Sequence, residues 1–434
     1  MRVLGVGDSC DLGDLYVRLQ AQGHQVRVRL NDPDSKDVFT GLLEHSHASW
    51  ADDLAWVGKR DGGGVLLFEG VGQGERQSQL RRDGYLVVGG SAWADRLEID
   101  RAHGQAMLRK LGLPIAHHHE FHNFDAAIEL VRKTRKRYVL KFSGSGFSST
   151  RSYVGCLPDG SDMVARLTQQ RNHWTLSEAP HIVLMEHLQG VEVGVGAWFN
   201  GHEFVRPANI DWEHKRFFAG DLGELTGEMG TVVSYRHADK LFQATLAGIE
   251  PYLREMHHVG YINLNMIVNE AGTWPLEFTC RFGYPGFAVL SALHAEPWDA
   301  TLLRLLHRHT PVLPTHPGFA VGVVLTVPPF PYPDGYERLS KGMPICFASD
   351  LNDEDRTFLH YGEVAQAHGQ LVTAGQIGYI MVVTGRGETI QDAQNAAYAL
   401  VRKVAIPNVR YRTDIGTRLI NSDYQNLQAL GWLP

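Results

Sequence analysis

Trp274-Pro275-Leu276-Glu277-Phe278-Thr279-Cys280-Arg281-Phe282-Gly283-Tyr284-Pro285-Gly286 ends an apolar strand on a lone carboxylate, then supplies a cation and a glycine-proline turn. That order of groups suits a magnesium-bound triphosphate. Magnesium takes hard oxygen ligands and usually only one or two from protein, so Glu277 is the candidate metal ligand. Arg281, with a planar fork of donors, is the candidate group over the phosphoryl in flight. The pattern also fits a plain surface ion pair, and its meaning depends on what precedes it.

Upstream, Tyr138-Val139-Leu140-Lys141-Phe142 reads as a strand with a lysine one step out of phase. An unpaired ammonium is costly to bury, and a phosphate partner would explain it; a solvent-facing edge position is the alternative. The strand runs into Ser143-Gly144-Ser145-Gly146-Phe147-Ser148-Ser149-Thr150-Arg151, a loop whose backbone N–H groups can fold over phosphates, with Gly144 and Gly146 as its pivots. Next, Ile182-Val183-Leu184-Met185-Glu186 meets the short connector His187-Leu188-Gln189-Gly190 before a second strand carrying Glu192. The backbone at such a connector can read an adenine edge, and Glu192 can accept from ribose hydroxyls.

The first hundred residues alternate apolar strands with helical patterns, the mark of a parallel sheet with covering helices. Its strands are expected at Val3–Val6, Gln25–Val28, Val65–Phe68 and Tyr85–Val88. Gly5-Val6-Gly7-Asp8-Ser9-Cys10-Asp11-Leu12-Gly13 fits a dinucleotide fingerprint only loosely, because its third glycine comes late, and a tight turn is the simpler reading. A helix is expected from Asp100, ended by Gly112 and Pro114, and a second over Phe124–Thr134 with Asn123 as cap. Pro311, Pro314 and Pro317 mark a linker, and Gly318–Pro434 reads as a separate α+β unit with strands at Phe319–Val327 and Gly378–Val383 and a helix at Ile390–Val404. The expected domains are therefore 1–99, α/β; 100–310, with a mobile subdomain over about 115–190; and 311–434, α+β.

At 434 residues, with 44% hydrophobic and 21% charged, the chain has the composition of an ordinary globular protein. A net charge of −7 with interspersed signs gives no electrostatic reason to expect nucleic acid or a membrane as partner, which leaves small molecules. Cys10, Cys156, Cys280 and Cys346 are far apart, so neither a zinc site nor a disulfide framework is supported, and free thiols fit the cytoplasm. The chain opens on a strand, with no signal peptide evident. In His117-His118-His119 at most two side chains can share a face of a strand, so the tract is read as structural.

In this order the pieces resemble the ATP-grasp enzymes, and within them phosphoribosylamine–glycine ligase. The resemblance covers nearly the whole chain. It implies an α/β and α+β multidomain ATP-grasp fold that joins a carboxylate to an amine through an acyl phosphate, using ATP and magnesium, with manganese as a substitute ion. By the same resemblance Arg101 and Lys141 are nucleotide-binding cations, Glu186, His187 and Leu188 the adenine hinge, and Glu192 the ribose acid. His214-Lys215-Arg216 and Thr226-Gly227-Glu228-Met229-Gly230 are similar to H-K-R and T-G-G-M-G elements near the substrate, Glu277 to Gly283 to E-F-N-C-R-F-G, and Arg412-Thr413-Asp414-Ile415-Gly416 to a closing R-x-D-I-G.

Departures fall where substrate identity is set. Gly7-Asp8-Ser9-Cys10-Asp11-Leu12-Gly13-Asp14-Leu15 replaces G-x-G-G-R-E-H-A-L, trading an arginine for acids at a turn expected to meet a sugar phosphate. Glu69-Gly70-Val71-Gly72-Gln73-Gly74 replaces G-P-E-A-P-L. Thr279 stands in place of a metal-binding asparagine; its hydroxyl can still coordinate, and Asn265 on the preceding strand offers a second oxygen. Three readings follow: a ligase whose substrates differ from the purine enzyme's, an authentic phosphoribosylamine–glycine ligase, and a nucleotide-binding protein without turnover. Monomer and dimer both remain open.

Overall fold

The computed structural model describes residues 1–60, 63–142, 152–175, 179–307 and 311–434. The apolar runs near the N-terminus become β1 (Arg2–Gly7), β2 (Gln25–Leu30), β3 (Glu44–His45), β4 (Val65–Phe68) and β5 (Val87–Val88). They form a parallel five-stranded sheet in the order β3-β2-β1-β4-β5. β1 is buried at every position but its first and β4 throughout, as strands covered on both faces must be. The fourth expected strand keeps only Val87 and Val88.

At Asp100 the helical pattern breaks in two. Asp100 leaves helical geometry and accepts from the His103 amide at 3.0 Å, so Ala92–Ile99 ends there and Arg101–Lys110 begins.

A small lobe follows, built on β6 (His118–Phe121), β7 (Tyr138–Phe142), β8 (Tyr153–Val154) and β9 (Ile182–Glu186) in the antiparallel order β6-β9-β7-β8. It has a core of its own, in which Ile128 and Val131 of the helix Phe124–Thr134 pack with Tyr138, Leu140, Met163 and Leu184. That helix has the expected bounds because Asn123 accepts from the Ala126 amide at 2.8 Å and Arg135 closes it in left-handed geometry.

The chain then lays down β10 (Val191–Asn200), β11 (Phe204–Glu213), the hairpin β12 (Arg216–Phe218) and β13 (Leu222–Leu225), β14 (Gly230–Ser234), β15 (Val259–Asn269), β16 (Gly272–Thr279) and β17 (Phe319–Thr326). All except β12 and β13 join one sheet in the order β16-β15-β10-β11-β14-β17, extended by Tyr379–Gly387 and Leu359–Tyr361 to eight strands. The segment after residue 318 contributes strands to this sheet. β17 pairs with β14 from Val323↔Gly230 to Ala320↔Val233 and is buried at all eight positions. The helix Ile390–Val401, capped by a Thr389–Asp392 box, packs on the same sheet; it stops short of the expected Val404, which enters a short strand. Among the described residues no helix is long and apolar enough to cross a membrane.

Candidate active site

Between the small lobe and the large sheet lies a cavity of about 490 Å³, a size suited to a small-molecule ligand. Its apolar walls are Ala116, Val139, Val154, Met185, Leu188, Ile267 and Leu276, contributed by both sides of the cleft. Glu186, His187 and Leu188 line it where β9 gives way to β10, and so do Lys141, Glu192, Lys215, Thr226, Gly227 and Glu277.

Its charged end is a lattice of alternating signs. Lys141 Nζ lies 3.4 Å from Glu277 Oε2, which joins the small lobe to β16 across the cleft. Lys215 Nζ is 2.9 Å from Glu192, 3.1 Å from Glu213 and 3.9 Å from the other Glu277 oxygen. The Lys141 ammonium holds the Glu277 carboxyl down at about 2, against the opposing effect of burial and with help from Lys215 and Arg101. Burial alone would lower Lys215, but Glu192, Glu213 and Glu277 keep it well above its ordinary value. A strongly ionised carboxylate beside two ammonium groups suits a site that must hold a cation and phosphates together.

Asn265 sits directly opposite Glu277 across the β15–β16 pair, and its amide donates to Glu213 at 3.2 Å. Glu277 and Asn265 could therefore offer a divalent ion a carboxylate and an amide oxygen from adjoining strands. Thr279 projects two residues further along β16 and lines a second, smaller cavity rather than this one. Arg101 packs on Met185, at the cavity wall, close enough to feel the Glu277 charge. Gly144 and Gly146, with the rest of their loop, lie outside the described residues.

Several expected partners are placed elsewhere. β16 ends at Thr279, and the turn that follows is pinned by Glu98, which accepts from the Cys280 amide at 2.7 Å and from Arg281 Nε at 2.9 Å. Arg281 is thereby drawn toward the N-terminal domain, where its other neighbouring acid is Asp11, and does not join Lys141 and Glu277. His214 is buried and accepts from the Gly416 amide at 3.2 Å. The Arg216 carbonyl accepts from Arg412, while Arg216 itself donates to Gly223. Arg412, 2% exposed, is clasped by Asp221 and by Asp414 at 2.8 Å each. The C-terminal Arg412–Gly416 motif thus holds the His214–Arg216 segment in place. Of that triplet only Lys215 lines the cleft.

The sequence reading missed a polar tract beside the site. Asn209, Asp211 and Glu213 alternate along β11, and Tyr261, Asn263 and Asn265 along β15, so each set shares one face of the sheet. The signal was there as a period of two in polar residues within otherwise buried strands. Gly194 and Gly196 on β10 make room for it: a Cβ would come 2.1 Å from Asp211 Oδ1 at the first and 1.9 Å from the Tyr261 hydroxyl at the second.

Two family models match the chain: the phosphoribosylglycinamide synthetase ATP-grasp (A) domain over residues 100–287 and the C domain of the same enzyme over 320–418. Phosphoribosylamine–glycine ligase of Neisseria meningitidis serogroup B is 26% identical over 364 residues, 79% of this chain and 81% of its own length. The enzyme of that name from a Nostoc species is 27% identical over 396 residues, 88% of each. Among solved structures, phosphoribosylamine–glycine ligase of Thermotoga maritima superposes with a TM-score of 0.70 at 22% identity, over 96% of this chain and all of the other. The biotin carboxylase domain of Hydrogenobacter thermophilus 2-oxoglutarate carboxylase, bound to MgADP, ADP and bicarbonate, reaches 0.65 at 10% identity over 98% of this chain and 95% of its own. The cleft between the lobes and these matches agree: the chain belongs to the ATP-grasp ligase family and within it is similar to phosphoribosylamine–glycine ligase.

Proposed function

We propose that this protein is an ATP-dependent carboxylate–amine ligase. The observation that carries the reading is the Lys141–Glu277 contact across the cleft, flanked by Lys215 and by a hinge on the apolar wall. A carboxylate does not react with an amine at neutral pH, because oxide is too poor a leaving group. Transfer of a phosphoryl group from ATP to a carboxylate oxygen, with loss of ADP, supplies a better one. The amine nitrogen then attacks the acyl carbon, phosphate leaves with the C–O bond electrons, and a proton is lost from nitrogen.

Such a transfer asks the protein mainly for position and charge. Lys141 and Lys215 would bind terminal phosphate oxygens, Glu277 and Asn265 would hold magnesium or manganese, and Glu186, His187, Leu188 and Glu192 would seat the nucleoside. A bound divalent ion would offset phosphate charge. Closing the small lobe over the large sheet would exclude water that otherwise hydrolyses the acyl phosphate.

The names of the relatives favour phosphoribosylamine and glycine as the substrate pair. A second reading, a related ligase with different substrates, is favoured by the N-terminal turn. There Glu69 is buried with its carboxyl pushed up to about 8 by burial and by Asp11, and Asp8 adds to the same field. Glu69, so held largely protonated, brings no positive charge to the turn, and Asp8 and Asp11 stand where the resembled motif carries an arginine, which disfavours a sugar phosphate there. ADP and phosphate release, measured with a panel of carboxylates and amines with and without magnesium, tests both. Turnover with glycine and phosphoribosylamine would establish the first, and turnover only with other pairs the second. Nucleotide binding with no ADP from any pair would refute the ligase reading.

A further inference from the structure

The second cavity, of about 40 Å³, lies on the polar face of the large sheet among Asp211, Glu213, Glu228, Thr231, Asn263 and Thr279. Asp211 is 5% exposed, Asn263 6%, Glu228 7% and Thr231 2%. One Asp211 oxygen accepts from the Asn263 amide at 2.7 Å and the Asn209 amide at 3.0 Å. The other Asp211 oxygen, Asn263 Oδ1, Glu228 Oε1 and the Thr231 hydroxyl have no hydrogen-bond partner among the described residues.

Burial and the neighbouring Glu213 hold the Asp211 and Glu228 carboxyls well above the ordinary range, so a cationic donor entering the cavity would meet buried acceptors that ionise to match it. Water brings two donors; an ammonium brings three and a charge. The charge is wanted, because the nearby Lys215 is already shared by Glu192, Glu213 and Glu277.

Position sets the length of the ligand. Glu277, Asn265, Gly194 and Asp211 face one another in sequence across β16, β15, β10 and β11. Three strand spacings put the Glu277 and Asp211 backbones on the order of 14 Å apart. Metal and phosphoryl group would fill part of that span. In glycine the nitrogen is two bonds from the carboxylate carbon, about 2.5 Å away.

We propose that the cavity receives the distal ammonium of the carboxylate substrate, which makes that substrate an extended amino acid such as an ω-amino or basic α-amino acid. This inference rests on the ligase reading and departs from glycine, the acid in the relatives' names. Asp211 and Glu228 then act as specificity residues: a hydrophobic acid of equal length would leave both carboxylates unmatched.

The test is calorimetric titration of the full chain, with a nonhydrolysable ATP analogue and magnesium present, using 6-aminohexanoate, L-lysine, glycine and hexanoate. At least one of the first two should bind about tenfold or more tighter than both glycine and hexanoate, the scale of a charge-assisted hydrogen bond. Asp211→Asn and Glu228→Gln should each erase that preference, in protein whose circular dichroism matches the parent. Equal binding of hexanoate, tighter binding of glycine, no binding of any acid, or a preference that survives either substitution would overturn the proposal. Titration of the nucleotide analogue alone reports separately on the ligase reading. Its failure, with the ammonium preference intact when the acids are titrated without nucleotide, would remove that reading and leave the cavity assignment standing.

Discussion

At the scale of single residues, the charge lattice makes the clearest commitments. Glu277 is held ionised by Lys141, so removing it takes away the only carboxylate facing that lysine in a salt bridge among the described residues. Glu277→Ala should abolish ADP formation while the far-ultraviolet circular dichroism stays unchanged; ADP produced at the parental rate would refute the metal assignment. Lys141 is 29% exposed at its side chain and reaches the cleft from the small lobe. Lys141→Ala should weaken nucleotide binding by about tenfold or more, on the scale of a charged hydrogen bond, and calorimetry showing unchanged affinity would contradict it. Both residues stood out in the sequence because each breaks an apolar strand. Arg281 stood out as the cation following that strand, yet Glu98, distant in sequence, decides where it goes.

At the scale of elements, caps and buried rings set local stability. Asn123→Ala should cost the helix Phe124–Thr134 about 1 kcal/mol by leaving the Ala126 amide without its acceptor. Chemical denaturation of the variant, with a lower midpoint and an unchanged slope, is the check. Three imidazoles on or beside the large sheet are kept neutral chiefly by burial: His214 at about 4, His258 and His294 at about 3, against an ordinary 6.5. Between those values and 6.5 the unfolded chain binds protons that the native chain refuses, so stability falls as the pH is lowered through this window. Buried carboxyls raised into the same range, Glu69 to about 8 and Glu363 to about 7, act in the opposite sense, so the check is comparative: from about pH 7 to about pH 5 any drop in Tm should be smaller in His214→Gln than in the parent. An equal drop in that variant would show that His214 contributes nothing to the acid sensitivity.

At the scale of the molecule, one sheet ties the central and C-terminal segments together. The Arg412–Asp414 motif then fastens the loop that carries Lys215 into the cleft. Replacing Arg412 by Met leaves Asp414 and Asp221 without their buried cation and the Arg216 carbonyl without its donor. The expected loss is about 3 kcal/mol, at the low end for a broken buried pair because Asp221 is partly exposed. A fall in ligand affinity should accompany the lower Tm, since the Lys215 backbone on the freed loop also anchors Thr226. Unchanged thermal unfolding would show that the clasp is not structural.

Sequence alone settled those features that depend on neighbours in the chain. Periodicity and caps marked the parallel strands, the helix after Asn123 and the lysine strand, and the ordered motifs marked the ATP-grasp architecture. What depends on pairing between distant strands was decided only in three dimensions. β14–β17 pairing joined the strands after residue 318 to the large sheet, Glu98 turned Arg281 away, and side-by-side registry of β11, β10 and β15 assembled the polar cavity. The reason is physical: a strand's own residues specify which side chains share a face, but lateral neighbours across a sheet follow from register, which no local segment contains.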